Sequence, residues 1–226
     1  MGKWISVLVV AAVFAALGFF AAGKLLDRGP AKVKLDDSVV TPGWKRHTVP
    51  SAGIQIDLPV EYTALDPKDP KIREAIQAIG RDNPEAEGIL LQAIGIAQFV
   101  FWAFDLKNIE GGFAKNVNVL HQARGNRIPS PGENIEPIRE SIVKDLPPSV
   151  RLVDVKALKM PAGNVLATVM QIEINTAVGK SKTWSYGYSV NDGDAQLTVT
   201  FTCLEKDADS FQPIAERAME TFRLID

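Results

Sequence analysis

Cysteine is almost missing from this sequence: Cys203 is the only one among 226 residues. A lone thiol cannot close an internal disulfide, so a disulfide framework is excluded and cysteine usage does not identify the compartment. Histidine is nearly as scarce, with His47 and His121 alone. A zinc site normally takes roughly three or four nitrogen, sulfur or oxygen ligands, and these residues do not supply them at ligand spacing. Neither sign of charge prevails, because 25 Lys and Arg face 27 Asp and Glu for a net charge of −2. That balance gives no electrostatic basis for binding nucleic acid. There is no Asn-x-Ser/Thr acceptor, no Gly-x-Ser-x-Gly elbow, no P-loop and no Gly-x-Gly-x-x-Gly fingerprint. Asp192-Gly193-Asp194 lacks the other positions of an EF-hand loop and reads as a turn. Asp66 and Asp69, either side of Pro67, read as helix-capping residues rather than an acid–base pair. The expectation is a non-enzyme with no catalytic residue, no metal and no cofactor.

What the chain has in plenty is a terminal apolar run. Trp4–Gly23 carries no charge, and Ser6 is its only polar side chain. About 20 apolar residues at ~1.5 Å each span the hydrocarbon core of a bilayer. The competing reading is a secretory signal, with Lys3 as its positive region and Ala21-Ala22-Gly23 as a small-residue cleavage site. Signal cores usually run about 7–15 residues, so the length favours an uncleaved transmembrane anchor over residues 1–23. No cysteine follows the run to carry a lipid, and the Gly2/Ser6 match to a myristoylation pattern is redundant beside a spanning helix. Lys3 before the run opposes Lys24, Arg28, Lys32 and Lys34 after it, so charge leaves the orientation open. Residues 24–43, with Gly29-Pro30 and Thr41-Pro42-Gly43, read as a linker.

From Trp44 to the C-terminus the pattern is that of one α+β domain. Ala195–Leu204 alternates strictly, with Leu197, Val199, Phe201 and Cys203 on one face and Gln196, Thr198, Thr200 and Thr202 on the other. It reads as a strand with one buried side. After it, Phe211, Ile214, Ala215, Ala218, Met219 and Phe222 recur at helical spacing. Upstream, two short strands are expected before Pro50 and before Pro59, and a helix from Asp69-Pro70 stopped by Gly80. A second helix is expected over 83–93. Ala97–Leu106 is apolar on both faces, as in a central strand covered on both sides. A strand over Asn116–Gln122, a mobile Pro/Gly loop over Arg124–Gly132 and a helix over Glu133–Leu146 follow. Strands over Arg151–Lys159, Val165–Asn175 and Lys182–Val190 then lead through Asn191-Asp192-Gly193-Asp194 into Ala195. Strands joined by such short turns imply a largely antiparallel sheet with helices on its faces. Trp184, Tyr186 and Tyr188 share one face and form the candidate surface for a partner or ligand.

This order of elements resembles the PsbP-like fold family. The resemblance covers about residues 44–224 and rests on I-D-L-P, N-V-N-V, the K-M-P-A-G-N-V-L-A hairpin, the hairpin into L-T-V-T-F-T-C and the closing A-E-R-A-M-E-T-F helix. That family includes the extrinsic photosystem subunit PsbP, DcrB-type bacterial envelope lipoproteins and related secreted actinobacterial proteins. It implies an antiparallel sheet sandwiched between helices and a mostly non-catalytic role at partner proteins. Two departures stand out: the lipid-bearing cysteine of DcrB-type proteins is missing, and a helical stretch is added around Asp69–Ala93. The resemblance supplies no catalytic residue to carry over.

Together these features predict a membrane-tethered, non-catalytic accessory protein of the bacterial envelope that engages a protein partner. Its membrane contact would be residues 4–23 and its C-terminal domain would be extracytoplasmic, on the periplasmic side. The alternative is a carrier of a small ligand or lipid, with a pocket between sheet and helices.

Overall fold

The computed structural model describes residues 39–67, 69, 72–82, 99–122, 127–176, 179–193 and 195–225. The apolar run over 4–23, most of the linker and the expected helix over 83–93 lie outside them. Among the described residues no helix is long and apolar enough to cross a membrane.

Strand β1 (Trp44–Val49) turns through Pro50–Ala52 into β2 (Ile54–Pro59), with Trp44 opposite Pro59 and Val49 opposite Ile54. Gly53 takes φ +63° at that turn, a backbone conformation that costs glycine little. Next come β3 (Thr63–Leu65), α1 (Ile72–Asp82) and β4 (Phe99–Phe104). β5 (Asn116–Gln122) and α2 (Glu136–Asp145) follow, then four long strands: β6 (Val150–Met160), β7 (Gly163–Thr176), β8 (Gly179–Asp192) and β9 (Ala195–Leu204). α3 (Ala208–Thr221) and the short β10 (Arg223–Leu224) close the chain.

All strand pairs described are antiparallel, and they form two sheets rather than one. The order is β1-β2-β10 in a three-stranded sheet and β3-β4-β5-β9-β8-β7-β6 in a seven-stranded one. One face of the large sheet packs against α3 and the small sheet. Phe201, Val199, Tyr186 and Val119 there share a core with Ile54, Ile56, Phe211 and Met219. The opposite face is covered at its two ends by separate clusters. Ile72 and Ile76 of α1 lie with Trp102, Phe104 and Leu120, while Ile142 and Leu146 lie with Leu152, Met170 and Ile172. Helices therefore stand on both faces of an antiparallel sheet, with the small sheet as an addition.

Several elements depart from the expectation for physical reasons. α1 runs through Gly80 to Asp82, because a glycine inside a helix costs about 1 kcal/mol without forcing a stop. α2 begins at Glu136 rather than Glu133, with Pro137 in its first turn. Glu133 instead accepts from the Ser130 N–H at 2.9 Å and pairs with Arg127. Ile128 is buried as well, so the described part of the Pro/Gly loop is tied down. β4 is covered on both faces, yet it lies second from the sheet edge instead of in the centre. β9 is buried on both faces, not one. β3 and β10 carry too few residues to show a period.

α3 keeps the expected stripe, burying Phe211, Ala215, Ala218 and Met219. Pro213 falls on its exposed side, where its missing N–H forgoes one helical hydrogen bond. The Arg217 guanidinium stacks 4.9 Å over the Trp44 ring and ties α3 to β1.

Candidate functional site

The aromatic row lies on β8 and faces α3. Tyr186 is 2% exposed and Tyr188 5%. The Tyr186 hydroxyl donates to the Ala208 carbonyl at 3.0 Å, and its ring centre is 6.3 Å from Phe211. Tyr188 meets the Phe201 ring edge-on at 5.9 Å. Burial raises the pKa of both phenols far above the usual range, so neither ionises near neutrality. Two of the three side chains are thus part of the core beneath α3. Trp184 is half-buried at its margin, and its Nε1 is enclosed without a hydrogen-bond partner.

Two further reactive side chains, Cys203 and His47, also point inward. Cys203 is fully buried on the same side, and burial, followed by the charge of Asp207, pushes its thiol up to about 12. His47 is 9% exposed, its ring 5.9 Å from Phe101 and its Nε2 unpartnered. Burial, then the charge of Lys45, lowers its pKa to about 4 against a weaker pull from Asp57. His121 is exposed on β5. Among the described residues no group of three or more His, Cys, Asp or Glu is placed to hold a metal ion.

His47 has a consequence for stability. Its folded pKa lies below the ordinary value of 6.5, so the unfolded chain binds the proton more readily between about pH 6.5 and 4. The stability is whole above 6.5 and is lost as pH falls through that window, by up to about 3 kcal/mol. Urea unfolding at pH 7 and pH 4.5 checks this. A His47→Gln chain is expected to lose less on acidification by about that amount, and equal losses in both chains would exclude His47 as the cause.

Two surfaces remain. One is a groove of about 370 Å³ at the start of β6, lined by Ser149, Arg151, Gln171, Glu173 and Lys182 among others. Its charges are mixed, and Glu173 is paired with Lys180 at 2.6 Å, which holds its carboxyl below the usual range.

The other is a polar seam on the face away from α3, between the clusters under α1 and α2. The registers set Asn118 opposite Thr200, Thr200 opposite Gly187, and Gly187 opposite Thr168. In the neighbouring rows Thr202 pairs with Ser185 and Thr198 with Ser189. Their hydroxyls bond one another at 3.2 and 3.0 Å. Thr200 is 1% exposed, Thr202 and Ser185 are fully buried, and Asn118, Thr168 and Ser189 are half-buried. Three oxygens of this seam are enclosed without a partner: Thr200 Oγ1, Gln122 Oε1 and Asn191 Oδ1. A buried, unpaired polar atom costs about 1–3 kcal/mol. Alternation marks these positions as a solvent face; the signal against that reading is that no position from 195 to 204 is charged.

No protein-family model matches the sequence, and no curated protein matches it. Twenty-five solved chains match its fold. One is the cyanobacterial PsbP (CyanoP) of Synechocystis sp., 8% identical, covering 85% of this chain and 98% of that one at a TM-score of 0.50. LpqN, involved in cell envelope biogenesis of Mycobacterium tuberculosis, is 8% identical over 76% of this chain and 83% of its own, at 0.42. The Ran-binding protein Mog1p of Saccharomyces cerevisiae is 8% identical over 81% and 96%, also at 0.42. The chain has a PsbP-like fold, and at these identities the likeness is one of fold alone.

Proposed function

We propose that this chain is a non-catalytic accessory protein of a bacterial envelope, tethered to the membrane by residues 4–23 and engaging a protein partner. The observation that carries the non-catalytic reading is where the reactive side chains sit. Cys203, Tyr186 and Tyr188 are buried in the core between the sheet and α3, and His47 is buried on β1 against Phe101, all in neutral form at neutral pH. A nucleophile or general acid–base must reach its substrate and have a pKa near the working pH. These four side chains meet neither condition. The tether rests on the uncharged run Trp4–Gly23, whose length suits a bilayer. The accessory role is the reading in keeping with the PsbP-like fold.

Affinity purification of the full chain from intact membranes through a tag after Asp226 tests the partner. A reproducible stoichiometric companion is expected, lost when residues 4–23 are replaced by a soluble leader. Repeated recovery of the chain alone, after cross-linking, counts against a protein partner.

A further inference from the structure

Among the described residues the seven-stranded sheet ends in two unlike strands, β3 at one side and β6 at the other. β3 has three residues, whereas β6 has eleven and pairs with β7 alone. At about 3.3 Å per residue β6 amounts to roughly 36 Å of edge. An edge of that length is a template for another strand unless something blunts it. Pairing alternates along a strand, so every second residue turns its N–H and C=O outward. The Glu173 N–H donates to the Ser149 carbonyl, which sets position 149 towards β7 and positions 150 and 152 away from it. The register slips by one at Val153, so beyond that bulge positions 155, 157 and 159 face outward.

The middle of this edge is closed from within the chain. The Val155 N–H donates to the Asp154 carboxylate at 2.9 Å, and the second oxygen of that carboxylate holds Lys156 Nζ at 2.6 Å. Val155 is 2% exposed, with its side chain in the cluster under α2 and its N–H capped by Asp154. The Asp154 oxygen thus stands where the carbonyl of an added strand would come. Beside it Val153 has no cross-strand partner, and such a bulge twists an edge away from a straight neighbour. Further along the edge is open: Ala157 and Leu158 are half-buried and Lys159 is exposed. Two outward residues, Ala157 and Lys159, are too few to hold a strand by themselves.

We infer that Asp154 is an autoinhibitory contact, which keeps β6 from pairing with β6 of a second copy of this chain. The sequence of the strand fits itself. Antiparallel pairing centred on Ala157 sets Val155 opposite Lys159, Lys156 opposite Leu158 and Asp154 opposite Met160 of the other copy. No lysine then faces a lysine, and all three outward residues meet outward residues. Such a contact is two-fold and self-complementary, so it closes at a dimer. Its outermost bonds include one from each Val155 N–H to a Lys159 carbonyl, and Asp154 occupies that N–H in both copies. This inference is independent of any other protein partner.

The test uses the full chain in detergent, with Asp154→Val and Asp154→Asn beside the native sequence. Valine removes the acceptor, whereas asparagine keeps an amide oxygen for the Val155 N–H. Light scattering reads the protein mass per particle, and hydrogen exchange reads the amides of Ala157 and Lys159. The native chain and Asp154→Asn are expected to hold one chain per particle, with these amides exchanging freely. Asp154→Val is expected to double the mass and to slow both amides at least about tenfold. Asp154→Ala is expected to behave in the same way, and replaces valine in the test if valine disturbs folding by circular dichroism. Adding Ala157→Pro removes the N–H at the two-fold centre and is expected to return the mass to that of one chain. A folded Asp154→Val chain of single mass overturns the inference. So does a doubled Asp154→Asn, a native chain with these amides protected, or a doubling that Ala157→Pro leaves in place.

Discussion

A Tyr186→Ala chain is expected to lose about 3–5 kcal/mol of stability, the usual cost of emptying a fully buried aromatic site. Tyr186 is 2% exposed, sits in the core shared by the sheet and α3, and bonds the Ala208 carbonyl where α3 begins. Tyr186→Phe keeps the ring and loses only that hydrogen bond, so its cost should be about 1–2 kcal/mol. Trp184→Ala, at the margin of the same row, should cost less than Tyr186→Ala because the indole is half-buried. Urea unfolding followed by circular dichroism ranks the three. A Tyr186→Ala cost below about 1 kcal/mol would mean that the row stands free of α3 and is open to a partner.

The second large effect is expected at the Arg46–Asp57 pair. These residues face each other across β1 and β2, and the guanidinium grips both carboxylate oxygens, Nε at 2.7 Å and Nη2 at 2.9 Å. The Asp57 side chain is 5% exposed and that of Arg46 17%, so the two ends of the bond are not equivalent. Arg46→Met leaves a buried carboxylate without its counter-ion and should cost about 3 kcal/mol or more. Asp57→Leu leaves a cation that can turn towards water, and should cost about half as much. The double substitution should be milder than Arg46→Met alone, because no charge remains stranded. A double-mutant cycle in urea reads the coupling directly. Additive losses would show that the pair does not act as a unit.

The sequence discloses elements whose period runs over many residues and hides those decided by long-range packing. The β6–β9 hairpins are legible because β6, β7, β8 and β9 are ten residues or longer, alternation is clear in β9 and in the Met170–Ile174 part of β7, and a tight turn separates β8 from β9. The α3 stripe was legible for the same reason at a helical period. The two-residue β10 was not, since its pairing with β2 depends on residues some 170 positions away in the chain. Nor could alternation alone reveal that both faces of β9 are enclosed. A threonine face looks the same in sequence whether it is open to water or enclosed, and only the missing charges separate the cases. The aromatic row illustrates the converse: Trp184, Tyr186 and Tyr188 were placed correctly on one face, but which layer covers that face is tertiary information.

Protease accessibility in intact cells and in spheroplasts, with a tag after Asp226 and the N-terminus sequenced, tests the tethered-accessory account most directly. The account predicts digestion only once the outer barrier is opened, with Met1 or Gly2 still at the start of the chain. A tag that survives in spheroplasts and is lost only on lysis would contradict it, placing the sheet domain on the cytoplasmic side.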